Sequence, residues 1–217
     1  MRPRKKLNQQ EIAQLTNDLH NHSVNVYTRE IYIHGYYGVG IDSEESEIDF
    51  KVAATFLKNL HLLDQLGRAA ITIHMNILGG SWCDGIAMIN AIRASHSNIT
   101  IINYSAASSM SGVLLQAADK RVMMPYSHFM MHHGGVGLEY TASKAASEAI
   151  KFNDYECNVM LDIFAERAVN GPYFLEREWD VKQIKKFFIN KLQAKTDWYL
   201  TAEKSILFGL ADSILKN

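Results

Sequence analysis

The amino-acid sequence predicts an α/β fold of stacked β-α-β units around a parallel sheet. In Ala70–Leu78, Ile71, Ile73, Met75 and Ile77 fall on one side and Thr72, His74 and Asn76 on the other, the alternation of a strand. Gly79-Gly80 ends that strand, and a helical stretch runs on to about Ser95. The apolar run 99–104 then passes through Ser105-Ala106-Ala107-Ser108-Ser109-Met110 into a second helix that ends near Ala118. Strand, turn, helix, strand, turn, helix requires crossovers, so the strands run parallel and helices cover the sheet. Sites in such sheets lie where strands end and helices begin, which is where both turns fall.

The remaining elements follow from local pattern. Residues 9–21 predict a short helix on Ile12, Leu15 and Leu19, and 29–34 predict a strand. Residues 35–49, with Gly35, Gly38, Gly40 and an acidic run, read as a loop leading to a helix. Over 51–66, Val52, Phe56, Leu57, Leu60 and Leu63 form an apolar helical face. Ser81, three residues before Asp84, predicts a capping box. Strands are expected near 121–124 and 128–132. Residues 141–168 carry Ala, Glu and Lys throughout with no proline and read as one long helix, Pro172 lying just past it. Helical stretches at 178–195 and 202–215 complete the chain. In domain terms, 1–28 is expected to be an N-terminal segment, part helix and part mobile tail, and 29–217 a single domain.

Composition narrows the function. The chain has 217 residues, 47% hydrophobic and 21% charged, with net charge −1. No basic excess points to nucleic acid, and no acidic excess to a solvating tail. Cys83 and Cys157 are far apart, which argues against a disulfide framework and favours a reducing compartment. No apolar run approaches the ~20 residues needed to span a bilayer. MRPRKKLNQQ lacks the apolar stretch of a signal peptide, so a soluble, cytoplasmic protein without membrane partners is expected.

Four serines, Ser105, Ser108, Ser109 and Ser111, crowd the turn before the second helix. Taken alone they read first as helix caps. A serine nucleophile instead needs a base within hydrogen-bond reach, a group that orients the base, and N–H donors for the oxyanion. His132 is a candidate base because it ends the apolar strand FMMHHGG beside two glycines. Its neighbour His133 must point to the opposite face, which also disfavours a metal pair. No HExxH, GxGxxG or GxSxG pattern is present, and no Lys-Ser/Thr follows Gly80 and Gly85 as a P-loop would require. Cys83 at a helix start is expected to be buried rather than nucleophilic.

From about Arg29 to Leu215 the chain resembles the Clp protease proteolytic subunit, a self-compartmentalising serine peptidase. The resemblance rests on Ile77-Leu78-Gly79-Gly80, on Ser105–Met110 with Leu114-Leu115, and on Pro125, Ser127, Met130 and Met131 before His132. It also rests on Asp197 with Leu200-Thr201-Ala202-Glu203 and Gly209-Leu210-Ala211-Asp212. It implies a fold of the Clp peptidase and crotonase-like superfold, stacked β-α-β units with a protruding handle helix at about 141–168. By the same resemblance Ser109, His132 and Asp197 form a catalytic triad, and the N–H groups of Gly80 and Met110 form an oxyanion hole. Peptides then pair as an added strand beside Gly134, Gly135, Val136, Gly137 and Leu138. Heptameric rings, stacked in pairs through the handle, are implied, with polypeptide substrates and no metal or organic cofactor.

Leu78 stands where the family has proline, and Ser105 where it has glycine. Residues 1–28 lack the family's axial-loop pattern, which leaves docking to an unfoldase ATPase open. Such divergences would suit a viral or otherwise specialised relative. They motivate a second reading, a catalytically degenerate ring subunit that assembles with or regulates an active paralogue. A third is a crotonase-type acyl-CoA enzyme, with carboxylates near the oxyanion turn and no need for Ser109.

Overall fold

The computed structural model describes residues 7–34, 47–135 and 143–216. Helix α1 (Gln9–His22) starts at Asn8, whose side chain accepts from Glu11 N–H while the Glu11 carboxylate accepts from Asn8 N–H. Strands β1 (Val24–Asn25) and β2 (Glu30–His34) follow, then α2 (Phe50–Gln65), capped by Asp49, and β3 (Ile71–Asn76). Next come α3 (Trp82–Ala94), β4 (Ile99–Asn103), β5 (Ala106–Ser108), α4 (Met110–Leu115), β6 (Lys120–Met123) and β7 (His128–His132). Then α5 (Ser143–Ala168), α6 (Pro172–Leu175), α7 (Val181–Ala194), β8 (Asp197–Thr201), α8 (Ala202–Leu207) and β9 (Ser213–Ile214) complete the order.

Six strands form one sheet in the order β1-β2-β3-β4-β6-β9, parallel except for β1. Three more form a second sheet, β5-β7-β8, with β5 parallel and β8 antiparallel to β7. The α/β expectation holds. The period-2 pattern of β3 buries Ile71, Ile73 and Met75 completely. Each such side chain contributes about 1.5–3 kcal/mol on leaving water. From α2, Phe56, Leu60 and Leu63 are buried, as the helical spacing requires.

Several expectations need correction. The serine stretch is not only a turn, because Ala106–Ser108 pairs with His128–Met130 as β5. The helix after it ends at Leu115 rather than near Ala118. The C-terminal helix stops at Leu207: Gly209 has φ +67, and a Cβ there would lie 2.6 Å from the Ala168 carbonyl. The chain then adds β9 to the main sheet. The stretch 178–195 becomes a helix only from Val181, capped by Asp180. Only half of the expected box at Ser81 forms, its hydroxyl accepting from Asp84 N–H at 3.4 Å. Most of the expected loop 35–49, and the first two residues of the expected helix 141–168, lie outside the described residues.

Strand β8 had no expectation behind it. Its neighbours are an aromatic cluster that joins α6, α7 and α8, in which Phe187, Phe188 and Phe208 lie 5.9, 6.1 and 5.3 Å from Trp198. Trp198 is buried and Asp197 exposed, because successive side chains of a strand face opposite sides. The cluster therefore holds β8 from behind and leaves Asp197 on the accessible face.

Candidate active site

Ser109 sits between β5 and α4 with φ 53 and ψ −125. A non-glycine residue pays about 1–3 kcal/mol for such a conformation and keeps it only where its surroundings enforce it. Ser109 N–H donates to the Met130 carbonyl at 3.1 Å, and its carbonyl accepts from Gly112 N–H at 3.0 Å. Buried Ser111 closes the turn, its hydroxyl accepting from Ser108 N–H and donating to the Ser108 carbonyl, both at 2.9 Å. Ser111 is therefore structural. Ser109 holds the N-cap position of α4, yet its side chain makes no cap hydrogen bond. Its Oγ instead lies 2.7 Å from His132 Nε2.

His132 ends β7, and the pairing register sets it opposite Asp197 on β8. His132 Nδ1 and Asp197 Oδ1 are 3.7 Å apart, an ion-pair distance that exceeds a hydrogen bond. The fold thus places Ser109 and Asp197 on the two ring nitrogens of His132, the first within hydrogen-bond length and the second beyond it. His133 is exposed and does not line the adjoining cavity.

The Gly79-Gly80 turn abuts Ser109. A Cβ on Gly79 would lie 2.5 Å from Ser109 Cβ and 2.9 Å from its Oγ, so only glycine leaves room for that hydroxyl. Gly80 has φ +140, and a Cβ there would meet the Ile48 backbone at 2.4 Å. Ile48 pairs with this turn by donating to the Gly79 carbonyl and accepting from Ser81 N–H, both at 2.8 Å. Among the described residues nothing accepts from Gly80 N–H. Met110 opens α4, so its N–H has no partner within the helix. The N–H groups of Gly80 and Met110, on the two turns that meet at Ser109, thus have no acceptor among the described residues.

Beside these groups lies a cavity of about 320 Å³, with Gly80, Ser109, Met110 and His132 in its lining. Gly134 and Gly135 line it too; Val136, Gly137 and Leu138 lie outside the described residues.

The Clp protease family profile matches residues 41–217, a span that includes all of these groups. The chain belongs to the Clp protease family. It is 25% identical over 174 residues to the ATP-dependent Clp protease proteolytic subunit of Deinococcus radiodurans, covering 77% of this chain and 76% of the relative. It is 26% identical to the ATP-dependent Clp protease proteolytic subunit 2 of Pseudomonas aeruginosa, covering 77% of each chain. Subunit 2 of Thermobifida fusca is 27% identical, with 79% of this chain and 78% of the relative covered.

The two departures from the Clp protease pattern have local consequences. Ser105 is not among the residues of positive φ; its carbonyl accepts from His128 N–H at 2.9 Å, so the site needs no glycine freedom there. Leu78 is partly exposed and precedes a turn still held by the Ile48 ladder.

Sequence reasoning missed the cavity wall supplied by α5. Asn153, Glu156, Cys157 and Met160 line the cavity. Their spacing of three, four and seven along one helix was a readable signal that they share a face. Cys157, partly buried, has its thiol pKa raised by desolvation. Cys83 is exposed, contrary to expectation, because the buried face of α3 is formed by Gly85, Met88, Ile89 and Ile92. No cluster of three or more metal-ligating side chains occurs among the described residues, and no described helix is long and apolar enough to cross a membrane.

Proposed function

We propose that the chain is a serine endopeptidase that cleaves unfolded polypeptides or peptides through an acyl-enzyme, with Ser109, His132 and Asp197 as its triad. The observation that carries this reading is the 2.7 Å contact between Ser109 Oγ and His132 Nε2 at the edge of a cavity. Ser109 Oγ attacks the scissile carbonyl carbon while its proton passes to His132 Nε2. The oxyanion accepts hydrogen bonds from Gly80 and Met110 N–H, each donor worth about 2.7–4 kcal/mol to the transition state. Collapse breaks the C–N bond, His132 protonates the leaving amine, and the acyl group remains on Ser109. Water then repeats the sequence, releasing the acid and restoring the hydroxyl. Asp197 holds the His132 tautomer once a movement of roughly 1 Å closes their gap to hydrogen-bond length.

Assembly into heptameric rings, paired through α5, is part of the proposal and is supported by the family. So is docking to a Clp ATPase, supported by the relatives' names. The free cysteines Cys83 and Cys157 support a reducing, cytoplasmic setting.

A fluorophosphonate probe followed by native mass measurement tests the chemistry and the assembly together. Labelling of Ser109, peptide cleavage and ring-sized masses are expected, and Ser109→Ala should abolish labelling and cleavage without altering the circular dichroism spectrum. Labelling at Ser108 would move the nucleophile. The 3.7 Å gap to Asp197 also favours a second reading, a degenerate subunit that assembles with an active paralogue. Ring-sized masses without labelling would select that one.

A further inference from the structure

We propose that the cavity beside Ser109 selects a lysine or arginine side chain immediately before the scissile bond, through the carboxylate of Glu156. This inference rests on the reading of Ser109 as the nucleophile. The cavity's apolar walls are the buried Met110, Val113 and Met160. Of the described residues lining it, Glu156 is the single carboxylate, and none is lysine or arginine. Glu156 makes no hydrogen bond or ion pair with any described residue. It lies on the same face of α5 as Asn153 and Met160.

A carboxylate in a partly desolvated place without a cation is uncompensated, and desolvation raises the Glu156 pKa accordingly. A basic side chain resolves both halves of the cavity's chemistry. Its methylene stem lies along Met110, Val113 and Met160, while its charged head reaches the carboxylate. Asn153 adds a side-chain oxygen that accepts no described hydrogen bond. A glutamate at the same substrate position would meet like charge and is rejected.

The test uses the full chain and quenched peptides that differ only in the residue before the scissile bond: lysine, methionine or glutamate. Lysine should exceed methionine in kcat/KM by about tenfold, the scale of a hydrogen bond to a charged group. Glu156→Gln should bring the lysine-to-methionine ratio close to one, and Glu156→Lys should turn the preference towards glutamate. A methionine preference in the wild type, or a lysine advantage that survives Glu156→Gln, overturns the proposal. Binding is read separately from turnover by alkylating Cys157, which lines the same cavity, with exposed Cys83 as the internal control. Peptides ending in lysine should slow Cys157 alkylation in the Ser109→Ala protein at about tenfold lower concentration than peptides ending in methionine. Equal or absent protection overturns the proposal. Lysine-selective protection without cleavage in the wild type defeats the peptidase reading and leaves only the binding of a basic side chain beside Glu156, whereas cleavage without lysine selectivity keeps the peptidase reading and overturns the proposal.

Discussion

His132 and Asp197 are direct partners across the antiparallel pair of β7 and β8, on the same face of the small sheet. Their side chains approach to 3.7 Å although 65 positions separate them in the chain (197 − 132). The register alone decides this meeting, because a slip of one residue would turn Trp198 outward and Asp197 into the aromatic cluster.

Asp197→Asn should therefore cut peptide turnover by roughly 10²–10⁴-fold, the range of a lost acid–base device. Labelling of Ser109 by a fluorophosphonate should slow in parallel. Thermal unfolding should hardly move, because Asp197 is exposed. An unchanged turnover number would remove Asp197 from the mechanism.

Gly79→Ala puts a methyl group 2.5 Å from Ser109 Cβ. The backbone at Gly79 has no positive φ, so the substitution acts through this contact rather than through strain. Turnover should fall at least about tenfold, since small misplacements of a nucleophile cost that much or more, and the melting temperature should fall as well, because overpacking of this kind costs about 1–3 kcal/mol. Activity equal to wild type would show that the hydroxyl can move aside without loss.

Trp198→Ala removes the side chain that seats β8 against Phe187, Phe188 and Phe208. Such a truncation should destabilise the fold by about 3–5 kcal/mol. Because β8 carries Asp197, the folded fraction should also lose activity. Denaturant unfolding followed by activity per folded molecule separates the two effects.

Asp212 provides an acid-dependent component of stability. Burial pushes its carboxyl pKa up, but hydrogen bonds and charge attraction from Arg121, with a contribution from Arg167, outweigh this and depress it below the ordinary 3.8. A carboxylate depressed in the folded state stabilises at pH above its unfolded value and loses that contribution as pH falls through the folded one. Unfolding free energy should thus decline as the pH drops below 3.8. Asp212→Asn should show a shallower decline over the same window, measured by denaturant titration. Identical slopes in the two proteins would rule out this linkage.

The sequence by itself determined the elements whose signal is local. Ile71, Ile73 and Met75 alternate within six residues of β3, and the two small-residue turns mark where its β-α-β units open. Its place at a strand end before two glycines made His132 a candidate base, and the resemblance to the Clp family singled out Ser109 among the four serines; the fold brings the two to 2.7 Å. Tertiary structure decided the rest. Asp197–Thr201 carries a charge and a hydroxyl on its outward face and becomes a strand only because β7 offers an open edge and the aromatic cluster buries Trp198 and Leu200. The exposure of Cys83 and the cavity wall built by Asn153, Glu156 and Cys157 depend on which helix faces meet the nucleophile turn. Periodicity reports which side of an element is apolar, but not which distant element will cover it, because pairing and packing are set by contacts between segments far apart along the chain.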